Sequence, residues 1–202
     1  MTFGPLVFKK DTRKNKPINC FGKLSVDGDL TLPSGTVKGP VNVKGTFKIT
    51  KDDFEVFGPV RIKGDLICGE DFEVYGSLHV KGKIVTEDLE VYGPLTAKSI
   101  HAEEEVIVFG SVKVKENIIS DREIILEIAN SRGLKVGGII KAPLVKISAR
   151  EKIIEAEIFK KLSRKHYDEK IVISNVHIIA DKLVLEGVEV KGKVKAKEIV
   201  YE

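Results

Sequence analysis

The feature that most constrains this chain is a glycine that returns at almost constant spacing. Gly4, Gly22, Gly39, Gly58, Gly76, Gly93 and Gly110 are separated by 18, 17, 19, 18, 17 and 17 residues, and all but Gly39 follow an aromatic residue. The surrounding residues recur with it: "FEVFGPVRIKGD" begins at Phe54, "FEVYGSLHVKGK" at Phe72, "LEVYGPLTAKS" at Leu89 and "VIVFGSVKVKE" at Val106. Self-similarity at so short a period is the mark of a solenoid, in which each turn buries its apolar side only by stacking on its neighbours.

Inside one repeat the apolar residues fall in pairs two apart. Phe72 and Val74 precede Gly76, Leu78 and Val80 follow it, and Ile84 comes four places later. Alternation of this kind excludes helix and predicts three short strands per turn, joined by tight corners. Two corners carry glycine, the second at Gly28, Gly45, Gly64 and Gly82, where a sharp turn favours a residue that tolerates positive φ. The third carries acid: Asp52 and Asp53, Glu70 and Asp71, Glu87 and Asp88, Glu104 and Glu105.

Strands of successive turns then pair in parallel at about 4.8 Å, stacking like residues in columns. The predicted fold is all-β: a three-sided parallel β-helix of about nine turns, or roughly 43 Å of prism. Both members of each inward pair are usually large, and parallel crossovers prefer one hand, so the expected helix is right-handed. Residues 1–20 read as a basic N-terminal segment with a partial first turn, 21–120 as regular repeats and 121–202 as an irregular continuation. Near 150–170 the chain predicts a short insertion: Ile154, Ile158 and Leu162 have helical spacing, yet "KIIEAEIF" also alternates as a strand, and a loop near 160–169 is favoured over a helix.

The 202 residues are 42% hydrophobic and 32% charged, enough for one sizeable core and too charged for a membrane span. The N-terminus lacks the pattern of a secretory signal, so a cytoplasmic protein is expected. Cys20 and Cys68 fall at inward positions on different sides and are expected to remain unpaired. Lysine and glutamate are abundant and glutamine is absent, a balance common in proteins of heat-loving organisms. The formal charge of +4 resides entirely in residues 1–20, where Lys9, Lys10, Arg13, Lys14 and Lys16 face the single acid Asp11.

No motif points to catalysis. His79, His101, His166 and His177 never occupy equivalent places one turn apart, as converging zinc ligands would, and read as surface side chains. Stacked carboxylates at the acidic corner would be relieved by a divalent ion, but the glycine-rich nonapeptides of calcium-binding solenoids are missing, so the corner reads as solvated. No cofactor or small-molecule substrate is expected. Lys44, Lys63, Lys81, Lys98 and Lys115 form one outward column, expected to be screened by neighbouring or partner acids, and Glu55, Glu73 and Glu90 form another. The aromatic column Phe3, Phe21, Phe57, Tyr75, Tyr92 and Phe109, broken by Lys38, reads first as corner packing and second as a lateral contact strip.

The recurring pattern of aromatic-G-[PS]-[LV]-x-[VI]-x-G-x-[LI], as in "YGSLHVKGKI" from Tyr75, resembles the bactofilin family of polymer-forming cytoskeletal proteins. The resemblance covers residues 20–120 and, less closely, 183–200. It implies a right-handed triangular β-helix, nucleotide-free assembly into filaments, and scaffolding at the cell envelope. The chain departs from that family in its length, in its irregular stretch 121–182 and in lacking a hydrophobic N-terminal targeting segment. The expected function is a non-enzymatic scaffold whose partner is itself, with Phe57, Tyr75, Tyr92 and Phe109 on the corner, and Leu185 and Val194 in the last turn, as self-association candidates. The competing class is a β-helix binding module or a metalloenzyme with a site at a subunit contact around His101 and His177. A third reading gives the basic segment an anionic partner, nucleic acid or lipid.

Overall fold

A computed structural model describes residues 2–149 and 170–202. Those residues form 26 strands, all paired in parallel, and no helix. The alternation around Gly76 shows why. Phe72–Tyr75, Leu78–Val80 and Lys83–Thr86 are three consecutive strands, and in each the apolar partners are buried while the residues between them face out. Each strand then pairs with its equivalent one turn along, so that Phe54, Phe72 and Leu89 share one inward column and Val60, Leu78 and Leu95 another. The result is a three-sided parallel β-solenoid of about ten turns.

The second face, which contains Leu78–Val80, is a separate sheet of eight strands; the first and third faces join into one sheet of eighteen. They join because three late strands, Ile139–Ala149, Ile171–Glu186 and Val188–Tyr201, run round a corner without breaking. The core is one continuous column of mainly aliphatic side chains from Ile18 to Val188. It is widest in aromatic content where Phe54 stacks on Phe72 at 5.9 Å and Phe47 meets Phe54 edge-on at 4.9 Å.

The structure modifies the sequence reading in several places. Residues 2–13 already carry one strand on each face, at Thr2–Phe3, Leu6–Phe8 and Thr12–Arg13, so the first turn is complete and the count rises from nine to about ten. The basic segment is therefore part of the wall. Irregularity after residue 121 is a matter of corner length: the strands continue through Glu123–Ile128 and Leu134–Val136 into the three long ones. The loop or helix expected near 150–170, including His166, lies outside the described residues, between the strands Ile139–Ala149 and Ile171–Glu186. Cys20 and Cys68 are buried free thiols.

The second glycine column serves a different purpose from the one expected. Gly22 and Gly76 have φ of +141° and +156°, but Gly45, Gly64 and Gly82 have no such backbone. They are glycine because turns approach too closely there: a Cβ on Gly64 would stand 2.7 Å from the carbonyl carbon of Gly45 and from the amide of Thr46.

Candidate functional site

The fold gives each of the three corners its own chemistry. At the first corner the aromatic side chains stand on the residue before the glycine and point out along the prism. Phe57, Tyr75, Tyr92 and Phe109 stack with centroids 4.7, 4.8 and 5.0 Å apart and planes within 11° of parallel. The spacing is that of the strands beneath. Phe57, Tyr75 and Tyr92 are 39, 39 and 40% exposed, so the rings cover the corner and still reach solvent along their edges. Lys38 does not break the ladder: its Nζ lies 5.0 Å from the Phe21 ring and 5.5 Å from the Phe57 ring, a cation held between two π faces. Phe3 extends the column, stacked on Phe21 at 5.3 Å.

Beside the rings, Glu55, Glu73 and Glu90 stand in register on the outside of the first face. The Tyr92 hydroxyl donates to Glu90 Oε1. Hydrogen bonding of Tyr75 to Glu73 and of Tyr92 to Glu90, with the carboxylate charge beside each ring, pushes both phenols up to about 12. Both therefore stay neutral donors.

The second corner carries the lysines. Lys63 and Lys81 donate their backbone amides to Val43 and Ile62 of the preceding turn, which fixes the column. Lys44 pairs with Asp27 at 3.1 Å and Lys98 with Glu116 at 3.5 Å. Among the described residues Lys63, Lys81 and Lys115 have no such ion pair.

The acidic third corner is held by inward hydroxyls. Thr86 Oγ1 donates to the Glu70 carbonyl at 2.8 Å, and Ser120 Oγ to the Glu104 carbonyl. Partial burial, reinforced by Asp53, Asp88 and Glu70, pushes the Asp71 carboxyl up to about 6. Glu87 rises too, chiefly because Glu70 lies beside it. Arg122 closes the ladder on Glu104 and Glu105, the latter at 2.6 Å. Among the described residues no group of three His, Cys, Asp or Glu side chains is placed to hold a metal ion. His101 and His177 lie on the third face three turns apart and in different columns, since His101 stacks through Ile119 and Lys141 onto Ile179 while His177 stacks on Ile139, and they do not converge. His79 is exposed on the second face.

The two ends are the remaining unusual surfaces. In the last strand, Val188–Tyr201, the inward residues Ile199 and Tyr201 are 43 and 65% exposed, although Leu183 and Leu185, which they cover, are buried. Leu185 is thus sealed beneath Tyr201, and the accessible apolar residues include Ile199, Tyr201 and the half-buried Val190 and Val194. At the other end Leu6 and Phe8 are half-buried. The basic residues fringe this end: Lys9 and Lys10 lie at a corner, Arg13 in a strand, Lys14 Nζ 4.8 Å from the Phe8 ring, and Lys16 in the turn that follows.

The sequence reading missed Lys38 as a ladder member and a set of side-chain ties between turns. Asp11, Asp29, Asp65 and Asn117 each accept the amide of the residue stacked above, at 2.7–2.9 Å. The available signal was an aspartate directly after glycine at 28–29 and 64–65. No protein-family model matches the chain, and no curated protein or solved structure matches it. Among the described residues no helix is long and apolar enough to cross a membrane.

Proposed function

We propose that the chain is a non-enzymatic, bactofilin-like structural rod of the cytoplasm that joins copies of itself end to end. The observation that carries this reading is the pair Ile199 and Tyr201, which occupy core columns yet remain open to solvent. The same strand offers 14 residues whose outer edge pairs with nothing among the described residues. Exposed parallel edges recruit further strands, and solenoids normally shield them. The first turn supplies the matching element, three strands at the same spacing with Leu6 and Phe8 only half-covered. A second copy stacked on Val188–Tyr201 would continue both the hydrogen-bond ladder and the core.

Sedimentation velocity on wild type and on Ile199→Lys tests the contact. Wild type should sediment as a concentration-dependent series of species, and the variant as single rods with an unchanged far-UV spectrum. Identical distributions would remove the end contact from the proposal. Within one chain His101 and His177 share no ion, so the metalloenzyme alternative calls for a site completed by a second copy, and metal analysis after chelator-free purification tests it. The anionic-surface reading calls for charge neutralisation of Lys9, Lys10, Lys14 and Lys16, because deletion would remove the strand Thr12–Arg13; unchanged retention on heparin and on anionic vesicles would dismiss it.

A further inference from the structure

We infer that the rods also associate side by side, the lysine corner of one copy lying on the aromatic and glutamate corner of the next. Four observations converge on this pairing. First, Lys63, Lys81 and Lys115 are exposed and carry no ion pair among the described residues, while like charges stand one turn apart. Such a column repels itself and is relieved by an opposing row of negative charge. Second, Glu55, Glu73 and Glu90 form that row, each beside a part-exposed ring at Phe57, Tyr75 or Tyr92.

Third, the two rows match in pitch. The rings repeat at 4.7–5.0 Å, and the lysines climb one backbone hydrogen bond per turn on the same prism. Parallel copies therefore align turn for turn without distortion. Fourth, the molecule already shows that a lysine fits this surface, because Lys38 lies between the rings of Phe21 and Phe57. An incoming ammonium would pair with a carboxylate of this row, its methylene stem lying along the exposed ring edges.

The contact joins two different surfaces, so it propagates from copy to copy. It uses neither end, and single rods can form it; filament length reports the end contact and array width reports this one. The test is a charge swap. One variant carries Lys63→Glu and Lys81→Glu, the other Glu73→Lys and Glu90→Lys, with far-UV spectra and melting curves confirming the fold of each. Electron microscopy and low-speed pelleting are read at about 50 mM and about 500 mM salt, where exposed charges are screened beyond roughly 14 and 4 Å respectively.

Wild type should form side-by-side arrays at low salt that separate at high salt. Each variant alone should give single-width rods, and a mixture of the two should recover arrays, because each reversed corner then meets its reversed partner. If a reversal lowers the melting temperature by more than a few degrees, Lys63→Gln with Lys81→Gln replaces it and should lower the pelleted fraction about fivefold. Unchanged width in either variant, no recovery on mixing, or wild type that never associates sideways would overturn the inference. Loss of long filaments with width retained would count against the end contact alone.

Discussion

The rings of Tyr75 and Tyr92 stack 4.8 Å apart and within 4° of parallel. They are 17 residues apart in sequence and meet only because each turn of chain rises by one strand spacing. An outward pair thus reports the period of the core within, and both the fold and the proposed contacts rest on that period.

The core columns set the cost of a buried charge. Val74 is fully buried between Val56 and Val91, so Val74→Asp strands a carboxylate among aliphatic side chains and should destabilise by on the order of 4 kcal/mol. Lys81, exposed on the lysine corner, should tolerate alanine within about 0.5 kcal/mol. Thermal melts followed by circular dichroism decide; equal midpoints would mean that the inward register is misplaced.

Close approach, not backbone sign, dictates the second glycine column. Gly64→Ala drives a Cβ into the Gly45 peptide and should destabilise by about 2 kcal/mol. Gly69 has open space where its Cβ would be, and Gly69→Ala should be neutral or stabilise by up to about 1 kcal/mol through the unfolded chain. Urea midpoints that shift alike would contradict the steric explanation.

Lys38 fills a gap between two rings. Lys38→Ala removes the cation and should destabilise by about 0.5–1 kcal/mol, whereas Lys38→Tyr completes the ring ladder and should raise stability by a similar amount. For a chain of this size the two melting temperatures should separate by about 2–8 °C. A lysine that merely occupies solvent would give coincident curves.

The acidic corner makes stability depend on pH. Asp71 has a folded pKa of about 6, above its ordinary value of 3.8. The folded state therefore holds the proton more tightly, and stability falls as pH rises through 6. Because the corner is exposed, screening keeps the effect to about 1 kcal/mol or less. Asp71→Asn should flatten the profile between pH 4 and 7 and leave the variant more stable than wild type at pH 7. A parallel pH profile in the variant would assign the dependence elsewhere.

Much of this is legible in the sequence. Phe72, Val74, Leu78, Val80 and Ile84 could be placed inside from spacing alone, because a period of two within strands and eighteen between turns leaves one consistent winding. Corner geometry was less legible: Gly64 looks like Gly76 in sequence, yet one avoids a neighbouring peptide and the other also adopts positive φ. Lys38 read as an interruption because composition does not show that a methylene chain with an ammonium tip can bridge two rings. Leu185 and Tyr201 share a column, and only pairing reveals which of them lies outermost. The first turn was undercounted because Thr2–Phe3 and Thr12–Arg13 are two-residue strands, too short to alternate.

The central claim is that one molecule's last turn is the template for another's first. Negative-stain electron microscopy of purified protein across a concentration series tests it most directly. The expected result is rods that lengthen in steps of roughly 48 Å, the rise of ten strand spacings. Rods of one unchanging length near 48 Å at every concentration would contradict it.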